Sequence, residues 1–423
     1  MERYPSYKPS GVKWLGEIPS HWEVKRLASY FTERRVKVSD KEYEPLSVTK
    51  LGVFPQWENV AKTNDGDNRK LVKKGDFVIN SRSDRKGSSG VSDRDGSVSL
   101  INIVLQPRNT IRADFSNYLL KSYKFIEEYY RNGRGIVADL WTTRYDEMKM
   151  IKLAVPPLDE QSAIATYLDT ATAKIDAAIA QQQKMIDLLN ERKQIIINRA
   201  VTKGLNPNAK MKDSGVEWIG EVLEEWEVRR LKHLVKANLM YGANESAESE
   251  VESYPRYIRI TDIDEDGKLR PDTFRSLPPA KAEPYLLKKG DLLFARSGAT
   301  AGKTYLFNEN IKACFAGYLI KASLKETLLP EYLNYYTKSG IYANWKKSIF
   351  IQATIPNIGA EKYANLQITL PSIKEQEDIV KHLDVETGKI NQVVRNCEKQ
   401  ISLLQERKQI IINEVVTGKV KVV

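Results

Sequence analysis

A stretch of 43 residues occurs twice in this chain, at 160–202 and again at 375–417, aligned without a gap at a constant offset of 215. The segment ERKQIIIN is identical in both copies, at 191–198 and 406–413. Apolar residues recur in steps of four and three, the spacing of a helix and more narrowly of a coiled-coil seam. The first seam reads Ile164, Leu168, Ala171, Ile175, Ala178, Gln182, Met185, Leu189, Arg192, Ile196. The second reads Ile379, Leu383, Glu386, Ile390, Val393, Cys397, Gln400, Leu404, Arg407, Ile411. Neither Gly nor Pro interrupts the first copy, and Gly388 alone interrupts the second, at a cost of about 1 kcal/mol against Ala. Ser372 and Glu375 form a capping box before the second helix, and Asp159 is the expected cap of the first. Gly204 and Pro207 stop the first helix. About 40 residues at ~1.5 Å each make a rod of roughly 60 Å that cannot leave its stripe in water. Each rod either packs on its neighbouring domain or pairs with the other; equal lengths and matched seams favour an antiparallel pair acting as a spacer.

A second repeat precedes each helix. SGVKWLGEIPSHWEVKRL at 10–27 matches SGVEWIGEVLEEWEVRRL at 214–231, so Trp14 and Trp22 correspond to Trp218 and Trp226, four of the seven tryptophans. Paired Trp and Gly at fixed spacing suggest a short docking segment, because two exposed indoles per copy would be costly. Residues 28–155 and 232–370 are far less alike, yet both carry KKGD followed by an apolar strand, FVIN or LLFA. Both contain a Tyr-rich helical piece, and both close on an alternating strand that runs into proline (Ile151, Leu153, Val155; Leu366, Ile368, Leu370). The expected order is therefore an opening segment with a first domain over 1–155, a long helix over 156–205, a repeated opening segment with a second domain over 206–370, and a C-terminal long helix over 371–423. The fold class is α+β: two tandem mixed α/β domains separated by two long helices in an antiparallel coiled coil, with pseudo-two-fold symmetry.

The length of 423 residues allows two or three domains with real cores, 41% hydrophobic with 29% charged residues is the balance of a soluble globular protein, and only two cysteines make a reducing cytoplasm the expected location. No apolar run reaches the ~18 residues of a membrane span, so no membrane is expected as a partner. Two cysteines imply no disulfide framework, and three dispersed histidines give no metal-ligand spacing. A net charge of +11 points to a polyanion, with nucleic acid first.

Catalytic patterns are poorly represented. Residues 297–304 end in GKT after a strand, like a phosphate-binding loop, but that motif needs a Gly where Ser297 stands, and Gly298 leaves the loop one residue short. Neither Pro156-Pro157 nor Pro278-Pro279 follows the Asp or Asn of an adenine-amino methyltransferase tetrapeptide. Base-reading residue types do occur in loops. Arg82, Ser83, Arg85 and Lys86 fall near the place of Arg296 and Ser297 in the other half, and Lys303 ends the glycine loop. Tyr257, Arg259 and Thr261 alternate as on one strand face, and Gln352 and Thr354 in one half answer Trp141 to Arg144 in the other. Arg bonds guanine and Gln bonds adenine in the major groove, so these residues are the candidate DNA contacts. No catalytic residue and no metal site is expected. The candidate coiled-coil interface is Ile164, Leu168, Ile175, Leu189 and Ile196 with Leu383, Ile390, Leu404 and Ile411.

The opening SGVKWLGEIPSHWEVKRL, the junctions PPLDEQ and LPSIKEQ, the doubled ERKQIII, the segment LLFARSGATAGKT and the tandem order together resemble the DNA-specificity subunit of type I restriction–modification systems, over essentially the whole chain. The resemblance implies two target-recognition domains, each reading half of an interrupted sequence in double-stranded DNA. It also implies that the chain is no enzyme and holds no cofactor of its own. Two methylation subunits would use S-adenosylmethionine on adenine N6, and a restriction and translocase subunit would use ATP and Mg. Other readings stay open: a scaffold whose two heads bind protein, an enzyme built on the glycine loop, and the specificity subunit of a type II system.

Overall fold

Both copies of the repeated stretch form single helices, Leu158–Lys203 and Ile373–Val416, in a computed structural model that describes residues 2–56, 66–135, 141–264, 267–350 and 356–422. The second begins on the expected capping box: the Ser372 N–H and hydroxyl donate to Glu375 Oε2 at 3.0 and 2.7 Å. The first starts one residue before Asp159, which lies inside the first turn rather than at the cap. Its acidic first turn, Asp159 and Glu160, still suits the positive end of the helix dipole. Both helices end at a glycine with positive φ, Gly204 at +61° and Gly418 at +70°.

Packing divides the chain into two units, Met1–Gln183 with Glu398–Val423, and Lys184–Cys397, so compactness groups the residues differently from their linear order. Each long helix gives its first part to one unit and its last part to the other. In the first unit Ile164, Leu168 and Ile175 share a core with Ile411, Ile412, Val415 and Val416, and Lys408 Nζ lies 2.7 Å from Asp176. In the second, Ile197, Ala200 and Val201 share a core with Ile379 and Leu383, and Lys193 Nζ donates to Asn391 Oδ1 at 2.7 Å. The head of one helix meets the tail of the other in both units, the pairing of an antiparallel coiled coil.

The phase of the seam differs from the sequence reading at every second position. Leu168, Ile175, Leu383, Ile390 and Ile411 are buried, and Leu189, Ile196 and Leu404 are half-buried. Cys397, a seam position, is buried as well; between the seam positions the buried residues are Thr172, Ile186 and Thr387, whereas Met185 and Val393 are 46% and 44% exposed. Ala171 beside Thr172, Met185 beside Ile186 and Val393 beside Val394 are pairs of adjacent small or apolar residues. An alternation of four and three fits either member, and only the neighbouring helix selects between them.

The opening segments dock as the paired tryptophans suggest. A hairpin of Tyr7–Pro9 with Glu17–Pro19 leads to strand Glu23–Arg26, which pairs antiparallel with the closing strand Lys152–Val155. The second unit repeats this with Met211–Asp213, Glu221–Leu223, and Glu227–Arg230 on Gln367–Leu370. Trp22 and Trp226 are fully buried, and each indole N–H donates to the carboxylate in the first turn of a long helix, Glu160 at 3.0 Å and Glu375 at 3.2 Å. Trp14 and Trp218 are half-buried.

Inside each recognition region the strand after KKGD is the hub. Phe77–Asn80 lies between Ser89–Val91 and Asn102–Pro107, and Leu292–Ala295 lies between Thr304–Leu306 and Leu319–Ala322, all antiparallel. Gly75 and Gly290 turn into these strands at φ +92°, and Asp76 and Asp291 accept the backbone N–H of Lys73 and Lys288, each at 2.8 Å. The Tyr-rich pieces are helix pairs, Ala113–Lys121 with Tyr123–Arg131, and Pro330–Tyr336 with Gly340–Phe350. Beyond this hub the regions differ: the second contains a parallel pair, Arg256–Ile258 on Ala313–Phe315.

One buried amide ties each recognition region to its helix. Gln376 is fully buried; its Nε2 donates to Thr327 O and Pro371 O, and its Oε1 accepts the Leu329 N–H at 2.8 Å. Gln161 repeats the arrangement with Thr110 O, Pro156 O and the Arg112 N–H. Gln376→Leu should cost about 2 kcal/mol or more, because three backbone groups lose their partner in a dry setting. The midpoint of denaturant unfolding checks this, with Gln376→Glu as the variant that keeps the shape.

Candidate nucleic-acid interface

In the first unit the backbone leaving strand Phe77–Asn80 runs extended at Arg82 and then turns through a short 3-10 segment, Ser83–Arg85. It pairs with residues 141–144, the two segments that the sequence offers separately. Arg82 bridges Thr142, the Ser83 N–H donates to Trp141 O at 3.1 Å, and Ser81 O accepts the Thr143 N–H at 3.0 Å. The second unit repeats this ladder at an offset of 215. Ser297 bridges Asn357, the Gly298 N–H donates to Pro356 O at 3.1 Å, and Arg296 O accepts the Ile358 N–H at 2.8 Å.

This register corrects the expected correspondence between the arginines. Arg82 stands opposite the place of Ser297, and Arg296 stands at the place of Ser81. Successive side chains of extended backbone point to opposite faces, so the two arginines are not equivalents. Arg82 is exposed, and Arg296 is half-buried with its guanidinium 5.1 Å from the centre of the Tyr241 ring.

The remaining candidates divide by what holds them. Arg144 is exposed, its N–H donating to Glu147 Oε2 at 3.1 Å; among the described residues neither its guanidinium nor that of Arg82 makes a hydrogen bond or ion pair. Arg85 is exposed with Asp84 at 3.6 Å. Lys86 is engaged, 2.8 Å from Glu127 and 4.5 Å over the Tyr130 ring. The ladder thus brings together Arg82, Ser83 and Arg144, with Arg134, 83% exposed at its side chain, beside them through its own bridge to Thr142.

In the second unit three candidates serve the fold. Tyr257 is 2% exposed, and its hydroxyl donates to Ala243 O at 2.7 Å; burial pushes its phenol up. Arg259 makes a two-point ion pair with Asp262, at 3.1 and 2.7 Å, and reaches Thr273 O; the Asp262 hydrogen bonds push its guanidinium further up. The strand expected over 257–261 ends at Ile258, and Ile260–Asp262 is a 3-10 turn, so Tyr257, Arg259 and Thr261 do not share a strand face. Lys303 Nζ donates to Ile263 O at 3.1 Å. The glycine loop itself leads into strand Thr304–Leu306, whereas a phosphate-binding loop opens a helix. Gln352 and Thr354 lie outside the described residues.

Sequence reading passed over Tyr241 and Tyr318, which are 40% and 67% exposed. Their signal is an aromatic residue next to a glycine between short strands, Tyr241-Gly242 and Gly317-Tyr318. Tyr318 lines a cleft of about 300 Å³ with Asn244, Thr261, Ser297 and Thr300. Among the described residues no group of three or more His, Cys, Asp and Glu is placed to hold a metal, and no helix is long and apolar enough to cross a membrane.

The chain is thus a duplicated α/β protein whose two units each carry a different polar surface on one common ladder. The model of the type I restriction modification DNA specificity domain matches residues 19–186 and 223–399. The chain belongs to that family, as a type I specificity subunit. It is 25% identical to the type I restriction enzyme MjaVIII specificity subunit of Methanocaldococcus jannaschii, across 98% of this chain and 97% of that one. In fold it is similar to a chain from a structure of complex assembly and conformational transition of the type I R-M system, with TM-score 0.73, 16% identity, and 95% and 99% of the two chains covered. It is also similar to the HsdS subunit from Thermoanaerobacter tengcongensis, with TM-score 0.50, 17% identity, and 95% and 98% covered.

Proposed function

We propose that this chain reads a bipartite sequence in double-stranded DNA, one half with each unit, and positions subunits that do the chemistry. The observation that carries the reading is the repeated ladder: one backbone frame holds Arg82, Ser83 and Arg144 in one unit and Arg296 and Ser297 in the other. A shared frame with different donors suits two half-sites of different sequence, since base-edge contacts specify and phosphate contacts only position. Binding of duplex DNA tests it, with a steep fall in affinity as salt rises. Affinity that ignores salt and sequence would leave a protein scaffold as the reading.

The partners proposed are two methylation subunits and a restriction and translocase subunit, in the cytoplasm. S-adenosylmethionine, ATP and Mg would be used there and not by this chain. The duplicated ERKQIIIN supports two copies of one methylation subunit. Outside the seam, Leu188 and Ile195 are 52% and 59% exposed, and their counterparts Leu403 and Ile410 are 48% and 47% exposed. Each pair forms an apolar stripe one heptad long on the tail of a long helix, one stripe in each unit. Identical exposed stripes fit identical partner surfaces. Leu188→Asp with Leu403→Asp should leave thermal stability within about 0.5 kcal/mol of the parent and abolish co-purification of the methylation subunit. Retained assembly in that variant would remove the stripes from the interface.

The purified chain alone should neither methylate DNA with S-adenosylmethionine nor hydrolyse ATP. Turnover by the isolated chain, checked with labelled methyl donor and phosphate release, would contradict a purely recognising role.

A further inference from the structure

We propose that Arg296, held by Tyr241 and flanked by Tyr318, is the guanine-reading group of the second unit. The inference rests on the reading that this unit binds duplex DNA, and it assigns one base and one positioning residue to it.

Arg296 differs from the ion-paired arginines of its recognition region. Arg259 is closed by Asp262, and Arg270 and Arg275 lie 3.2 and 2.6 Å from Asp272 and Glu250. Arg296 is half-buried as a residue, and among the described residues its guanidinium makes no hydrogen bond or ion pair. Its donors are open to solvent or to a ligand, since none of its nitrogens is buried without a partner. Its position is nevertheless firmly set. The Arg296 backbone is bonded on both sides, N–H to Tyr318 O and O from the Ile358 N–H, each at 2.8 Å. The side chain lies over the Tyr241 ring, and the Tyr241 hydroxyl accepts the Ala360 N–H at 2.9 Å. Gly242 lets the backbone after Tyr241 pass close to residues 315 and 316, where a Cβ would run into the carbonyl oxygens of Phe315 and Ala316.

An arginine stacked on an aromatic face keeps its edge donors available in the plane, and that fork matches O6 and N7 of guanine in the major groove. Tyr318, 67% exposed, is bonded to the Arg296 N–H through its carbonyl oxygen and lines the cleft described above, which Arg296 itself does not line. Tyr241 is thus a positioning residue: it acts through Arg296 by fixing the plane of the fork before DNA arrives.

The test uses the full chain co-purified with the methylation subunit of its system, selecting from a randomised duplex library. The wild-type complex should yield a two-part motif with a guanine in one half. Arg296→Ala should relax that one position, reducing discrimination roughly ten- to hundred-fold, and Arg296→Lys should relax it too while keeping charge for phosphate. Tyr241→Ala should relax the same position, Tyr241→Phe should retain selection, and the double variant Tyr241→Ala with Arg296→Ala should go no further than Arg296→Ala. The other half of the motif and the spacing should persist in every variant, which controls for folding. An unchanged motif in Arg296→Lys, equal weakening on all sequences in Arg296→Ala, or an unchanged motif in Tyr241→Ala overturns the proposal. A wild-type complex that selects no motif overturns the DNA-reading function itself.

Discussion

Leu383→Asp should lower the thermal midpoint on the order of 10 °C and disrupt the pairing of the long helices in the second unit. Leu383 is fully buried in the core that joins Ile379 to Ile197, Ala200 and Val201. A carboxylate there loses the leucine's burial and finds no cation in an apolar core, a cost of roughly 4 kcal/mol or more. For a unit of this size each kcal/mol moves the midpoint by about 2–4 °C. The outward Leu188→Asp, one face away on the partner helix, should leave the midpoint where it is. Calorimetry of the two variants side by side checks the seam, and equal midpoints would mean that Leu383 faces no partner helix.

Much of the scaffold is legible in the sequence because it is written twice. The 43-residue repeat, the paired tryptophans and the KKGD strand hubs all rest on short-range spacing, which periodicity and turn chemistry reveal directly. The seam shows where such reading stops: Met185 and Ile186 satisfy the same heptad rule, and only the neighbouring helix decides that Ile186 is buried. The interface shows a second limit. Residue type marks Tyr257 and Arg259 as readers as readily as Arg82 and Arg144, yet a carbonyl from Ala243 and a carboxylate from Asp262 claim the first pair. Those partners lie 14 and 3 residues away, and neither pairing follows from a pattern. Arg82 and Thr142 are 60 residues apart and meet through a ladder that no local signal announces. The offset of 215 shared by both ladders was present in the sequence all along, and it places Arg296 opposite Ser81 rather than Arg82.

Exchanging residues 28–155 for the corresponding region of a related specificity subunit should change one half of the recognised motif completely and leave the other half intact. The exchanged region carries the Arg82–Thr142 ladder and its exposed arginines, but neither long helix nor the opening strand. Spacing between the half-sites should persist, because the helices proposed to hold the readers apart are untouched. Loss of the correct donors at even two base pairs costs about 2–6 kcal/mol, enough to redirect methylation to a new sequence. Methylome sequencing of cells that express the chimera with its methylation subunit measures this directly. The account predicts a motif with one new half, one old half and the old spacing; a motif altered in both halves, or in neither, contradicts it.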